Sequence, residues 1–221
     1  MASEAKIQVG PSGFYAGRLS SLPSPRDRIC AAVVEFLAAY GHEHTTPQMV
    51  IGRAEVTPAQ FAREFGAVEE AAIAALEEMG ARYLTLVERA FANAPGGWRD
   101  KLRAAVYAAA EILRENPVDA RFGAYEMMRL GGSARSRRDQ MLIPLVEMVD
   151  AGRREVGVGR LLTRATAEVV VGSFVDAVVR QITFESPSDP SEYVPEVMHL
   201  AVRPYLGSAV AAEELVRPQT G

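Results

Sequence analysis

Two threonine–proline pairs close together in the chain, Thr46-Pro47 and Thr57-Pro58, constrain its fold more than any other feature. Threonine is a common helix N-cap and proline is favoured at the first helical position, so each pair predicts the start of a helix. Thr57 and Gln60 also have the spacing of a capping box. The first helix must end near Glu55, before the second begins. Two short helices joined by a tight turn predict a helix-turn-helix unit.

A helix-turn-helix unit lays the start of its second helix in the major groove of DNA. In that case Thr46 and Thr57 would present helix N-termini to phosphates, although each threonine is alternatively a cap and nothing more. Gln60 and Arg63 would read bases, because glutamine pairs with adenine and arginine with guanine. The predicted DNA-contacting residues are Thr45, Thr46, Gln48, Thr57, Pro58, Gln60, Phe61 and Arg63. A plain helical hairpin in an all-α core is the alternative interpretation.

Further positions around this unit follow a recognisable pattern: Arg28, Ile29, Ala32, Phe36, Leu37, Gly41, Thr45, Thr46, Val50, Ala54, Val56, Thr57, Phe65 and Glu69. From near Pro25 to near Leu76 the chain resembles the N-terminal domain of the tetracycline-repressor (TetR/AcrR) family. The resemblance implies a three-helix DNA-binding domain and a larger helical domain for ligand binding and dimerisation. It also implies repression that a small molecule releases. Patchier matches near Asn116-Pro117 and near Pro204-Tyr205 point to the same family.

Four positions depart from the family pattern. Glu55 stands where glycine is usual, and a non-glycine residue with positive φ costs about 1 kcal/mol. Ile51 replaces a small residue, while Ala62 and Val68 replace a tyrosine and a lysine that bind phosphate in the family. Residues 1–70 hold six basic and eight acidic groups, a net charge of −2. A second hypothesis is therefore a TetR-like ligand- or protein-binding module with lost or altered specific DNA binding.

Apolar residues recur at helical spacing through the rest of the chain, which predicts an all-α protein of about nine helices. Beyond the helix-turn-helix, helices are expected near residues 68–92, 98–115, 118–130, 133–155, 164–184 and 193–206, with a short one possible over 208–217. Pro144 predicts a kink inside the fourth of these, over 133–155. The expected organisation is an N-terminal arm over residues 1–24, a DNA-binding domain over 25–70, and a helical effector-binding and dimerisation domain over 71–221.

A broad apolar face on the helices near 164–184 and 193–206 predicts a homodimer, because such a face is rarely left in water. Its members are Val170, Phe174, Val178, Ile182, Val194, Met198, Val202 and Tyr205. Paired with their symmetry mates they would form a four-helix bundle, and two-fold symmetry suits an operator of two half-sites. The alternative is that the face is the core of one subunit.

Aromatic and methionine side chains on the middle helices predict a pocket for a small apolar or aromatic effector. The candidate lining residues are Tyr107, Phe122, Tyr125, Glu126, Met127, Arg129, Met141 and Phe174. Glu126 or Arg129 would hold one polar end of the ligand. The resembling family binds effectors in this part of the chain. The alternative is an ordinary core in which Glu126 pairs with an arginine.

Several function classes lack support in the sequence. A single cysteine, Cys30, excludes an intramolecular disulfide, and its place on an apolar helix face predicts a buried thiol. There is no glycine-rich phosphate loop, G-x-S-x-G or H-E-x-x-H, so neither an enzyme nor a cofactor is expected. His42 and His44 lack the partners of a metal site. No apolar run approaches the roughly 20 residues of a membrane helix, and no signal peptide is evident, so a cytoplasmic protein is expected.

Overall fold

The computed structural model describes residues 13–15, 24–155, 157, 162–183 and 189–218, with the side chains of residues 181–183 left out. Within these ranges the chain forms helices, turns and loops and no strand, which confirms the predicted all-α class. Most of the predicted N-terminal arm, including Lys6 and Arg18, lies outside the described residues.

The helices are α1 Pro25–Tyr40, α2 Pro47–Ala54, α3 Pro58–Glu64, α4 Val68–Asn93, α5 Trp98–Glu115, α6 Pro117–Arg121, α7 Met127–Arg129, α8 Gly132–Met141, α9 Ile143–Glu155, α10 Arg164–Thr183 and α11 Val194–Glu214. Short 3-10 turns occupy His42–His44 and Pro190–Tyr193, and a π-helical turn at Phe122–Glu126 joins α6 to α7.

Three predicted helices differ from the observed ones in detail. The helix expected over 118–130 is interrupted by the π-helical turn. The helix expected over 133–155 is two helices, because Pro144 cannot donate to the preceding turn and instead lies in the first turn of α9, where no donor is needed. The last helix continues to Glu214, but Gly207 has a φ of 82° and divides it into two helical stretches.

The chain forms two compact units. Unit 1 comprises Met1–Met79 and Glu115–Arg138, and unit 2 comprises Gly80–Arg114 and Asp139–Gly221. This division differs from the predicted domains over 25–70 and 71–221. The reason is that α6 and the π-helical turn pack on α1, so this stretch belongs with the helix-turn-helix.

The core of unit 1 holds the helix-turn-helix against α1. Ile29, Val33 and Leu37 of α1 are fully buried, as are Val50 and Ala54 of α2. Burial of such apolar side chains contributes about 1.5–3 kcal/mol for each large one and is the main force that fixes the three short helices.

Two arginines of α1 reinforce this packing. Arg28 donates from Nε to the carbonyl of Ala54 at 3.0 Å, which caps the end of α2. The guanidinium of Arg26 lies 4.6 Å from the centre of the Phe65 ring. Both arginines are thus engaged in holding the unit together.

The core of unit 2 is organised around Trp98, which is 2% exposed. Its indole Nε1 donates to the carbonyl of Met148 at 2.9 Å, and its ring centre lies 4.9 Å from that of Tyr205. Gly152 of α9 faces the indole so closely that a Cβ there would be 2.4 Å from a ring carbon. A glycine at this position therefore lets α9 approach α5.

A buried ion cluster ties the end of the chain to α5. Glu214 is fully buried and accepts hydrogen bonds from both Arg99 and Arg103. Arg103 also donates to the carbonyl of Arg217 at 2.6 Å, and Arg217 pairs with Asp100 at 2.5 Å. Hydrogen bonding from Arg217 lowers the pKa of Asp100.

Candidate DNA-binding surface and effector cavity

Both threonine–proline pairs start helices as predicted. The Thr46 hydroxyl accepts from the Met49 N–H at 3.3 Å and caps α2. At α3 the complete capping box is present: the Thr57 hydroxyl accepts from the Gln60 N–H at 3.1 Å, and the Gln60 Oε1 accepts from the Thr57 N–H at 2.8 Å. The turn between the helices places Glu55 in the left-handed region, with φ 52° and ψ 47°.

The start of α3 forms an open face. Thr57, Pro58, Ala59, Ala62 and Arg63 are exposed. Sequence reasoning did not name Ala59 for this face and counted Ala62 only as a departure. Small apolar side chains at exposed positions of such a helix allow the backbone to come close to a groove and can contact a thymine methyl.

Two predicted DNA-contacting side chains are directed elsewhere. Phe61 is only 6% exposed and belongs to the core of unit 1, because it shares a helix face with buried Phe65 four residues later. Thr45 is 8% exposed and its hydroxyl donates to the Gly41 carbonyl at 2.8 Å. Thr46, Gln48, Thr57, Pro58 and Arg63 are exposed and Gln60 is half-buried.

The cations available to this face are few. Arg26 and Arg28 are engaged in the core contacts of α1, and Arg53 forms an ion pair with Glu35 at 2.9 Å. Among the arginines of 24–70, all within the described residues, Arg63 is the one that makes no hydrogen bond, ion pair or aromatic contact. Any phosphate or base contact by a basic side chain of α2 or α3 therefore depends mainly on Arg63.

Five predicted effector residues lie in unit 1, where they contact neighbouring side chains. Phe122 and Met127 are fully buried between the helices of this unit. Tyr125 packs against the guanidiniums of Arg121 and Arg129, 5.5 and 5.6 Å from its ring centre. Arg129 also approaches Glu43 at 3.6 Å.

Glu126 is 1% exposed, and its Oε2 has no hydrogen-bond partner among the described residues. Its other carboxylate oxygen, Oε1, lies 3.6 Å from Arg121. The ion pair between Glu126 and an arginine, which was the alternative to ligand binding, is therefore present at a long distance. Burial raises the pKa of Glu126, and the guanidiniums of Arg121 and Arg129 oppose that rise.

A cavity with an entirely apolar lining lies in unit 2, with a volume of about 60 Å³. Side chains from α4, α5, α9, α10 and α11 surround it. They are Val87, Leu102, Ala105, Val106, Ala109, Leu145, Met148, Val149, Val170, Val171, Phe174, Val197 and Ala201. Of the predicted effector residues, only Phe174 is among them. Tyr107 instead accepts from Arg103 at 3.3 Å, and Met141 packs over Gly80.

The predicted dimer face is divided in the structure. Val194, Met198, Val202 and Tyr205 are buried in the core of unit 2 beside Trp98, so for α11 the alternative, a core face of one subunit, is what the fold contains. Val178 is also buried, Val170 and Phe174 line the cavity, and the side chain of Ile182 lies outside the described residues.

A different surface of these two helices is exposed. Val169 of α10 is 68% exposed and Leu200 of α11 is 52% exposed. They flank a shallow groove, called here the outer α10–α11 surface. Its residues are Thr163, Ala165, Thr166, Val169, Val170, Ser173, Leu200, Arg203 and Pro204. Sequence reasoning named only Val170 of these residues, because both helices are apolar on more than one face.

Three other features of the described residues concern cysteine reactivity, metal binding and membrane insertion. Cys30 is 1% exposed, as predicted, and burial raises the pKa of its thiol to about 12. Within the described ranges, no three His, Cys, Asp or Glu side chains group as a metal site would require. In the same part of the chain, every helix is too short or too polar to cross a membrane.

The fold has close counterparts among solved structures. The fatty acid degradation regulator FadR of Bacillus halodurans superposes with a TM-score of 0.71 at 17% identity, covering 82% of this chain and 96% of that one. FadR of Bacillus subtilis, determined with stearoyl-CoA, gives 0.68 at 16%, covering 79% and 96%. A TetR-family transcriptional regulator of Syntrophomonas wolfei gives 0.68 at 13%, covering 83% and 95%.

These counterparts define the class of fold: the chain has the all-α fold of TetR-family transcriptional regulators. At identities of 13–17% the likeness is one of fold. No protein-family model matches the sequence. No curated protein matches it either.

Proposed function

We propose that the protein is a DNA-binding transcriptional repressor whose affinity for its operator is lowered by a small apolar effector. The observation that carries the proposal is the exposed first turn of α3, which a complete capping box fixes and next to which Arg63 has no partner among the described residues. This turn lies in a fold that solved transcriptional regulators share. The apolar lining of the cavity favours ligand binding over catalysis, because it offers no acid, base or nucleophile.

In this proposal the N-termini of α2 and α3 face phosphates. Free backbone N–H groups at a helix start attract anions, and this contribution does not need basic side chains. Arg63 reads a base edge or a phosphate. Gln60 is a weaker candidate for adenine than its residue type suggests, because its Oε1 is held by the Thr57 N–H and a bidentate pair would break the capping box.

The operator would be read by a homodimer with one helix-turn-helix in each half-site. The outer α10–α11 surface is the proposed contact with a second copy. Val169 and Leu200 expose apolar area there that association would remove from water. This replaces the predicted face of α11, whose side chains are already committed to the core of unit 2.

The proposed effector carries an aliphatic chain. The cavity lining is aliphatic except for Phe174, and the Bacillus subtilis FadR structure contains an acyl thioester, stearoyl-CoA. A volume of about 60 Å³ is well below the roughly 300–1,000 Å³ of ligand pockets. An effector must therefore select a wider arrangement of the helices, and only a ligand that prefers one arrangement can change DNA affinity.

The DNA-binding surface is tested by Arg63→Ala, with Arg89→Ala of exposed α4 as the matched control. Anisotropy titration of labelled upstream DNA at two salt concentrations should show Arg63→Ala binding about tenfold more weakly, with a reduced salt dependence if Arg63 meets a phosphate. Arg89→Ala should match the wild type. Equal affinities for all three proteins would remove α3 from the interface. They would favour the second candidate, a binding module without specific DNA recognition, which the net charge of −2 over residues 1–70 and Glu55 motivate.

The cavity is tested by Ala109→Phe, which fills it, with Ala92→Phe on the exposed side of α4 as the control. Aliphatic compounds should weaken DNA binding by the wild type and the control and leave Ala109→Phe unaffected. An unchanged response of Ala109→Phe would place the effector elsewhere.

A further inference from the structure

Five buried side-chain polar atoms of unit 2 have no hydrogen-bond partner among the described residues: Arg103 Nε, His199 Nδ1, Asp150 Oδ1, Arg153 Nε and the Tyr205 hydroxyl. The last three belong to Asp150 and Arg153 of α9 and Tyr205 of α11. Tyr205 is only 5% exposed. Buried polar groups are nearly always satisfied, so three orphans from two packed helices require an explanation.

Asp150 and Arg153 of α9 and Tyr205 of α11 lie on two helices that pack together, and these three side chains are called the cluster here. Arg153 pairs with Asp150 through the other carboxylate oxygen at 2.7 Å, and it also donates to the Leu162 carbonyl at 3.4 Å. Burial raises the pKa of the Tyr205 hydroxyl most. The negative charge of Asp150 raises this pKa further, and the positive charge of Arg153 lowers it. The cluster thus joins a neutral ion pair to a buried hydroxyl.

The cluster borders the apolar cavity. Tyr205 follows cavity-lining Ala201 by one helical turn, and Arg153 follows cavity-lining Val149 by one turn. Residues four apart are neighbours on a helix face. On α5, Trp98 precedes cavity-lining Leu102 by one turn and packs against Tyr205. An apolar space therefore lies one turn from a set of unsatisfied polar atoms on neighbouring helices.

We propose that Asp150, Arg153 and Tyr205 bind the polar end of the effector, and that this end is an uncharged group that both donates and accepts hydrogen bonds, such as a hydroxyl or a primary amide. The inference rests on the proposed effector role of the cavity. A ligand hydroxyl would donate to Asp150 Oδ1 and accept from Arg153 Nε, and the Tyr205 hydroxyl would complete the set.

The charge of the cluster selects against ionic ligands. Asp150 and Arg153 already neutralise each other. A ligand carboxylate would meet Asp150 and a ligand ammonium would meet Arg153, each bringing an unbalanced charge into a partly buried site. Compounds with equal chains and different end groups should therefore bind with different affinity.

The single tryptophan of the chain provides the readout, because Trp98 contacts Tyr205. The protein is titrated at neutral pH with 1-decanol, decanoate and decylammonium while tryptophan fluorescence is recorded. The expected order is 1-decanol about tenfold tighter than either ion, which is the worth of one to two hydrogen bonds.

Tyr205→Phe should weaken 1-decanol binding by about tenfold and change decanoate binding little, since one neutral hydrogen bond is lost. The unfolding temperature of the ligand-free variant should not fall, because the removed hydroxyl has no partner. Tyr107→Phe is the matched control, because the Tyr107 hydroxyl accepts from Arg103 instead, and this variant should bind all three probes as the wild type does.

Each other outcome contradicts the inference in a distinct way. If Tyr205→Phe unfolds at a lower temperature and binds 1-decanol with unchanged affinity, the polar atoms of the cluster bind a structural water and not the effector. Equal affinity for the three probes, abolished by Ala109→Phe, would overturn the polar site and leave the cavity as the effector site. Absence of binding by every probe would overturn both the polar site and the effector role.

Discussion

At the scale of single residues, the turn between α2 and α3 holds a residue with a side chain in a backbone conformation that favours glycine. Glu55 is the one non-glycine residue with positive φ in the described part of the chain. We expect Glu55→Gly to raise the free energy of unfolding by about 0.5–1 kcal/mol, because relief of the left-handed conformation outweighs the extra entropy that glycine loses. Denaturant unfolding measures this. Glu55→Gln keeps the strain and removes only the charge, so an equal gain in that variant would attribute the effect to charge.

Glu214 is the residue on which the ion cluster of unit 2 depends. Its fully buried carboxylate accepts from Arg99 and Arg103. Glu214→Gln should lower the free energy of unfolding by about 3 kcal/mol, because it leaves buried guanidinium charge without its partner. Neighbouring Glu213 is exposed, so Glu213→Gln should cost less than about 1 kcal/mol. Similar losses in the two variants, measured by thermal unfolding, would contradict the distinction.

The burial of Glu126 predicts that the stability of the folded protein depends on pH. Because burial raises its pKa in the folded protein, the folded state binds the proton more tightly than the unfolded state, and the protonated form is the stabilising one. This contribution is full below the ordinary carboxyl pKa and is lost as the pH rises through the folded-state pKa. Glu126→Gln mimics the protonated form, so it should be more stable than the wild type at pH 8, with the difference shrinking on acidification. Exposed Glu88→Gln is the control, and a parallel pH profile in both variants would refute the assignment.

At the scale of elements, α5 and α9 meet at Gly152. Gly152→Ala should destabilise the protein by about 1–3 kcal/mol, because the added Cβ would lie 2.4 Å from a carbon of Trp98. Gly52→Ala in α2 meets no atom within 4 Å and should instead be neutral or gain about 1 kcal/mol from helix propensity. A comparison of the two unfolding midpoints checks this, and a stabilised Gly152→Ala variant would show that the contact is loose.

Local signals predicted the elements well. The two Thr-Pro pairs and Pro144 act within one or two helical turns, so the sequence itself carries the information on where α2, α3 and α9 begin. The π-helical turn at Phe122–Glu126 has no such signal, because it arises from how that stretch packs on α1.

Which face of a helix is buried was harder to predict. α11 is apolar on the side of Met198 and also at Leu200, so periodicity alone does not distinguish core from surface. The same limitation explains why Phe122 and Met127 were expected at a ligand pocket. A cavity is a shortage of side-chain volume among several helices, and no residue type in the sequence marks it.

At the scale of the whole molecule, the proposed homodimer depends on the outer α10–α11 surface. Leu200→Asp should give folded monomers, because two buried carboxylates near a symmetry axis repel each other and lose hydration. Leu86→Asp, at a similarly exposed leucine of α4, should remain a dimer. Sedimentation velocity with circular dichroism separates the outcomes, and a dimeric Leu200→Asp or a monomeric wild type would contradict this interface.

The central claim is that the helix-turn-helix of this chain recognises a specific DNA sequence. The most direct measurement is the ratio of dissociation constants for the DNA upstream of its own coding sequence and for a scrambled duplex of the same length and composition, at physiological salt. Specific regulators bind their sites on the order of 10³-fold or more tightly than random DNA, and we predict a ratio of that size. A ratio near one, with both affinities falling alike as salt is added, would mean that the fold of a regulator persists here without its DNA specificity.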